Sequence, residues 1–168
     1  LVPVDGTSEA KNLFTTRGTA GTLQWSPDGS RLAFVASRVD HAFVGIFTNA
    51  ETRIQSIAPT FSRDGSPRWS PDGTRIAFVR TPGAGGSPDS VLAQRHSPWS
   101  VWTADVNTAK ASQLWKAPET LAGSYPTTHG GTNLHWAAGE RITFLSYHDG
   151  WPHLYSIASQ GGAPLLLT

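Results

Sequence analysis

Three observations predict an all-β fold, a partial β-propeller of about three and a half four-stranded antiparallel blades. Composition is the first: 168 residues hold 17 Gly, 12 Pro, seven Trp and seven Phe, and no stretch of helical length repeats its apolar residues every 3.6 positions. The second is an internal repeat. Trp25-Ser26-Pro27-Asp28-Gly29-Ser30-Arg31-Leu32-Ala33-Phe34-Val35 returns nearly letter for letter as Trp69-Ser70-Pro71-Asp72-Gly73-Thr74-Arg75-Ile76-Ala77-Phe78-Val79. The third is the step between the copies: Trp25 to Trp69 is 44 positions, the length of a four-stranded propeller blade.

Each copy reads the same way. A short strand ends at the Trp, Pro-Asp-Gly makes a tight turn, and Arg opens a strand apolar on both faces. A strand of that kind must lie between two sheets. A worn third copy runs from Trp136 to Leu145, with a turn one residue shorter. A second hairpin type completes each unit and occurs four times, over 1–15 around Asp5-Gly6, 43–57 around Asn49, 101–115 around Asn107 and 154–168 around Gln160-Gly161. With strands lettered A to D from the inside out, the A–B hairpins number three and the C–D hairpins four. Residues 1–20 are then the second half of a blade, 21–60 a blade, 61–117 a blade with an insertion at 81–98, and 118–168 a blade preceded by an insertion at 117–131. Such an array leaves two broad sheet faces uncovered, which invites association. The expectation is a segment of a longer chain, or two copies covering each other's open faces.

Charge narrows the function classes. Thirteen Lys and Arg against 12 Asp and Glu give a net charge of +1, and the basic residues are scattered, unlike those of a nucleic-acid or anionic-membrane binder. No cysteine is present, so neither a disulfide framework nor a thiolate zinc site or nucleophile exists. No apolar run approaches the ~18 residues of a membrane helix. The expected protein is soluble, in a bacterial periplasm or cytoplasm.

In an up-and-down blade the A–B and C–D turns share one end and the B–C and D–A connections the other. Both insertions therefore project from one face, and long loops on a rigid scaffold are where binding is usually built. His41, His96, His129 and His148 fall in or beside those loops, with Arg38, Asp40, Arg95, Tyr125 and Trp151. From these, Arg95, His96, Tyr125, His129, His148 and Trp151 are the candidate peptide-binding residues, through charge-assisted hydrogen bonds and aromatic contact. The plainer alternative is that polar residues gather in loops anyway.

Other candidates read as structural. Asp28 and Asp72 are imaginable as paired acids, but the middle of a Pro-Asp-Gly turn points to bonds with local amides, with Gly29 and Gly73 completing the turn. Trp25, Trp69 and Trp136 hold one place at the end of strand A, as repeated packing residues do. His148, Asp149 and His153 match no zinc spacing, so no metal is assigned. Gly83, Gly85 and Gly86 are followed by no Gly-Lys-Ser/Thr, which excludes a phosphate loop and leaves a lid. No Gly-x-Ser-x-Gly elbow occurs. No catalytic residue and no cofactor are expected within these residues.

The Trp-Ser-Pro-Asp-Gly-Ser/Thr-Arg-Leu/Ile-Ala-Phe-Val block resembles the blade repeat of TolB-type periplasmic propellers and of the N-terminal propellers of prolyl oligopeptidase family serine peptidases. Asp149-Gly150-Trp151-Pro152-His153-Leu154-Tyr155 resembles the Asp-Gly-Trp-x-His-Leu-Tyr signature of the dipeptidyl-peptidase and acylaminoacyl-peptidase branch. That resemblance implies a non-catalytic propeller that gates and positions peptide substrate for a C-terminal α/β-hydrolase domain absent from these residues. The Glu-Glu pair that grips a free amino terminus in dipeptidyl peptidases is also absent, which puts aminopeptidase specificity in doubt. The competing expectation is a TolB-like protein-interaction propeller of the bacterial envelope.

Overall fold

The computed structural model describes residues 1–85, 94–127 and 133–168. Among them are twelve strands and no helix. The first blade is β1 (Thr19–Trp25), β2 (Arg31–Ser37), β3 (Ala42–Thr48) and β4 (Arg53–Ser56). The second is β5 (Arg63–Trp69), β6 (Arg75–Thr81), β7 (Ser100–Asp105) and β8 (Ala111–Lys116). The third is β9 (Leu134–Ala137), β10 (Arg141–Ser146), β11 (His153–Ala158) and β12 (Leu165–Leu166). Each is an antiparallel meander in sequence order. A single parallel bridge, Ala42 to Arg63, links the first two.

The two near-identical sequence blocks fold into near-identical turns. Asp28 accepts hydrogen bonds from Ser26 Oγ at 2.6 Å, Ser30 Oγ at 2.7 Å and the Ser30 amide at 3.1 Å. Asp72 repeats them from Ser70 Oγ at 2.6 Å, Thr74 Oγ1 at 2.8 Å and the Thr74 amide at 3.0 Å. Gly29 and Gly73 close these turns at φ near +70°, a region costly for residues with a Cβ. Strand A carries a second repeated irregularity. The register of β1 slips between Gly21 and Gln24, and that of β5 between Gly65 and Arg68, with Thr22 and Ser66 at positive φ. Both are bulges, which bend the innermost strand.

Strand B is buried on both faces in the first two blades, because Ala33, Phe34, Ile76, Ala77 and Phe78 all fall to zero exposure. Phe78, Ile76 and Trp69 of the second blade pack onto Ala33, Val44 and Ile46 of the first. Ala77, Val79 and Val101 then pack onto Ile142, Phe144 and Ile157 of the third. In β10 the inward residues Ile142 and Phe144 are buried while Thr143 and Leu145, which alternate with them, are not, since among the described residues no sheet packs on that face.

One expectation is corrected at the amino terminus. The hairpin at 1–15 forms no strand. Its trace survives as a reciprocal backbone pair between Leu1 and Lys11 and a turn at Asp5. A two-stranded hairpin without the inner half of its blade is at best marginally stable. The segment instead lays Leu13 and Phe14 on the first blade's outer face, Phe14 stacking 4.7 Å from Phe34 and 5.0 Å from Phe47. The described residues therefore make three blades and a cover.

Candidate functional site

The A–B and C–D turns meet at one end, where Arg31 Nη2 donates to Asn107 Oδ1 at 3.1 Å. The insertions meet at the other. The Tyr125 amide donates to the Ser97 carbonyl at 2.8 Å, the Ser97 amide to Ser124 Oγ at 3.1 Å, and Trp99 Nε1 to the Gly123 carbonyl at 3.1 Å. Gly123 allows this approach, because a Cβ there would lie 2.0 Å from the Pro118 carbonyl oxygen. The first insertion is also tied backward, from the Ala84 amide to the Asp40 carbonyl at 2.7 Å. Gly83 lies so close to the Asp40 and Phe61 carbonyls that a side chain would collide with them.

Beneath the insertions runs a chain of rings. Tyr125 meets Trp99 at 5.4 Å, Trp99 meets Trp115 at 5.1 Å, Trp115 meets His148 at 5.5 Å, and His148 meets Tyr155 at 4.6 Å. Two of the candidate binding residues, Tyr125 and His148, are thus members of one aromatic cluster. His148 is held further by Ser146 Oγ, 2.9 Å from its Nδ1. Burial pushes the Tyr125 hydroxyl up, against a hydrogen bond with Ser66. Tyr125 also walls a cavity of about 180 Å³ with Arg63, Asp64, Ser66, Val79 and Thr81.

Arg95 is exposed, and His96 is half-buried with its Nε2 atom enclosed and without a hydrogen-bond partner. His96 directly precedes Ser97, whose carbonyl receives the Tyr125 amide. Trp151 stands apart, 73% exposed. His129 and Gly86 lie outside the described residues. Of the repeat tryptophans, Trp69 is buried and donates Nε1 to the Gln24 carbonyl of the preceding blade at 3.0 Å. Trp25, in the first of the described blades, is 43% exposed. Trp136 is half-buried under Arg75, whose guanidinium carbon lies 5.9 Å from its ring.

The Asp149 to Tyr155 stretch is a turn pinned by its own side chains. Asp149 accepts from Tyr155 Oη at 2.8 Å and from the Trp151 amide at 3.3 Å, and His153 Nε2 lies 3.6 Å away. The Tyr155 bond holds the Asp149 carboxyl below its ordinary range. Burial and the same carboxylate push the Tyr155 hydroxyl up to about 12.

Two groupings at this end escaped the sequence reading. Arg80 is buried and grips Asp64 with two bonds of 2.6 and 2.8 Å, donates to the Ala58 carbonyl, and covers Trp102 at 4.5 Å. Burial pushes the Asp64 carboxyl up, while Arg80 pulls against it. Phe61, 82% exposed, stands edge-on to His41 at 5.8 Å, and Asp40 lies 2.7 Å from His41 Nδ1. Neither grouping repeats at 44 positions, so the periodicity that marks the blades is blind to both.

Solved structures decide the fold. TolB from Acinetobacter baumannii superposes on 99% of this chain and 36% of its own, with a TM-score of 0.63 and 18% identity. Dipeptidyl peptidase 4 from Porphyromonas gingivalis superposes on 93% of this chain and 26% of its own, with a TM-score of 0.63 and 14% identity. The β-propeller domain of the Trilobed protease from Pyrococcus furiosus covers 89% of this chain and 42% of its own, with a TM-score of 0.56 and 16% identity. The chain has the fold of a partial β-propeller. It spans well under half the length of each of these solved chains. No protein-family model and no curated protein matches the sequence. At these identities the likeness is one of fold, shared by TolB and by peptidase propellers alike. Among the described residues no helix is long and apolar enough to cross a membrane.

Proposed function

We propose that this propeller segment is the non-catalytic gate of a prolyl-oligopeptidase-type serine peptidase, its insertion-bearing face turned toward the α/β-hydrolase domain and the peptide entering it. The observation that supports this reading is the asymmetry of the two ends. One end carries only tight turns. The other carries both insertions, cross-tied at Ser97, Ser124 and Tyr125 over the ring cluster. A loop pair fixed in this way presents side chains at a constant distance from the blade tops, which is what a size filter needs. Arg95, His96, Tyr125, His129, His148 and Trp151 are the proposed peptide contacts. Of these, Trp151 is the open aromatic surface.

The test shortens 81–98 and 117–131 to tight turns in the polypeptide that joins this segment to a hydrolase domain. The expected result is faster hydrolysis of long peptides relative to tripeptides, with little change for the shortest. Unchanged selectivity across peptide lengths sinks the reading. The TolB-like reading, a protein-interaction propeller of the bacterial envelope, is favoured by one observation of its own, the 99% coverage of this chain by a TolB. It expects no hydrolase domain beside the segment and a protein partner bound at the same face.

A further inference from the structure

The second blade carries at its loop end a charged row that its repeat partner, the first blade, does not. Asp64, Arg80, Ser100 and Lys116 stand directly opposite one another on its four strands, so their side chains share one face of the sheet. Trp102 lies two residues from Ser100 on that same face and packs toward the first blade. Forty-four positions back, the pair equivalent to Asp64 and Arg80 is Ala20 and Ala36. Blades of this chain therefore stack without ions at that place, and a buried ion pair adds little net stability over apolar residues. The row calls for a reason other than holding the blade.

A groove of about 410 Å³ opens over it, between Pro82 and Pro98, lined by Arg80, Trp102, Lys116 and Glu119. Arg80 is only 9% exposed. Its Nε and Nη2 are spent on Asp64 and the Ala58 carbonyl, and its guanidinium carbon is held 4.5 Å from the Trp102 ring. Among the described residues none accepts from Nη1. The guanidinium is thus fixed in orientation, with one donor group unspent and its remaining surface on the groove. Lys116, two strands further out in the row, brings a second cation. It holds Glu119 of the second insertion at 2.6 Å, with both side chains more than half exposed. An exposed pair of this kind contributes little and exchanges readily.

That pair also indicates the class of ligand, because a carboxylate of the chain itself already sits at the groove. With Glu119 turned out to solvent, Arg80 and Lys116 face Asp64 alone, which leaves one positive charge to be matched. A single carboxylate matches it, whereas a doubly charged phosphate exceeds it. We propose that this groove binds a peptide through one carboxylate, received by Arg80 Nη1 and Lys116 in exchange for Glu119, with the neighbouring residues laid on Trp102 between Pro82 and Pro98. A peptide offers that group at its C-terminus or on an Asp or Glu side chain.

The test is calorimetric titration of the polypeptide that carries these residues with two matched pairs of peptides. The first pair is acetyl-Pro-Leu-Ala as free acid and as C-terminal amide. The second is the amides of acetyl-Pro-Glu-Ala and acetyl-Pro-Gln-Ala. In at least one pair the carboxylate member should bind about tenfold tighter than its neutral counterpart. A preference in the first pair assigns the C-terminus, and in the second the side chain. K116Q should reduce that preference several-fold and E119Q should enlarge it. Both side chains are exposed and leave the buried Arg80–Asp64 pair intact, so neither variant puts folding at stake. Equal binding within both pairs overturns the proposal, as does no measurable binding of any of the four. An undiminished preference in K116Q, a smaller one in E119Q, or inorganic phosphate binding more tightly than acetate overturns it as well. Binding is read here without hydrolysis, so this test and the peptide-length test of the gate fail independently.

Discussion

Asp28 and Asp72 accept the same three hydrogen bonds in their respective turns. Those bonds, led by Ser26 and Ser70, lower each carboxyl from an ordinary 3.8 to about 2. The consequence for stability has a definite sign. As pH falls below about 4 the unfolded chain takes up protons at these positions while the folded chain does not, so folding loses the contribution progressively down to about pH 2. Urea midpoints measured across that window should fall with pH. The D28N/D72N double variant should show a shallower fall, and an identical slope would separate the turns from acid sensitivity.

At the scale of the element, strand B decides how blades are held. Its apolar residues fill both joints, but at its loop end Arg80 sits among rings with Asp64 as its partner. Removing one partner of a buried pair leaves the other desolvated and alone. R80A should therefore lower the unfolding free energy by about 3–5 kcal/mol, read from chemical denaturation. A loss under about 1 kcal/mol would mean that water reaches Asp64 once the guanidinium is gone. The hairpins themselves were legible because Pro-Asp-Gly and an opening Arg recur in register. The 1–15 stretch keeps the turn at Asp5 and the Leu1–Lys11 backbone pair but forms no strand.

Across the whole molecule, the Arg that opens strand B joins elements more than 70 residues apart, Arg31 to Asn107 and Arg75 to Ser159. The second is the stronger, with two bonds in a partly buried setting against one exposed bond. R75A should cost roughly 1.5–3 kcal/mol, in line with lost hydrogen bonds to a charged group. It should also speed hydrogen exchange in β10 and β11 more than R31A speeds it in β7 and β8. Equal effects would assign the third blade's attachment to apolar packing alone.

The sequence by itself determined the blades, their turns and the face that carries the insertions. All three are local or repeated properties, written into each copy of the tryptophan-and-turn block and into the alternation of a meander. Only the tertiary structure decided which tryptophan is buried, that Tyr125 and His148 belong to one ring cluster, and that Arg75 reaches forward to Ser159 while Arg141 turns back on Ser156. Those outcomes depend on which sheet lies next door, and a repeat reads the same whether or not its neighbour is present.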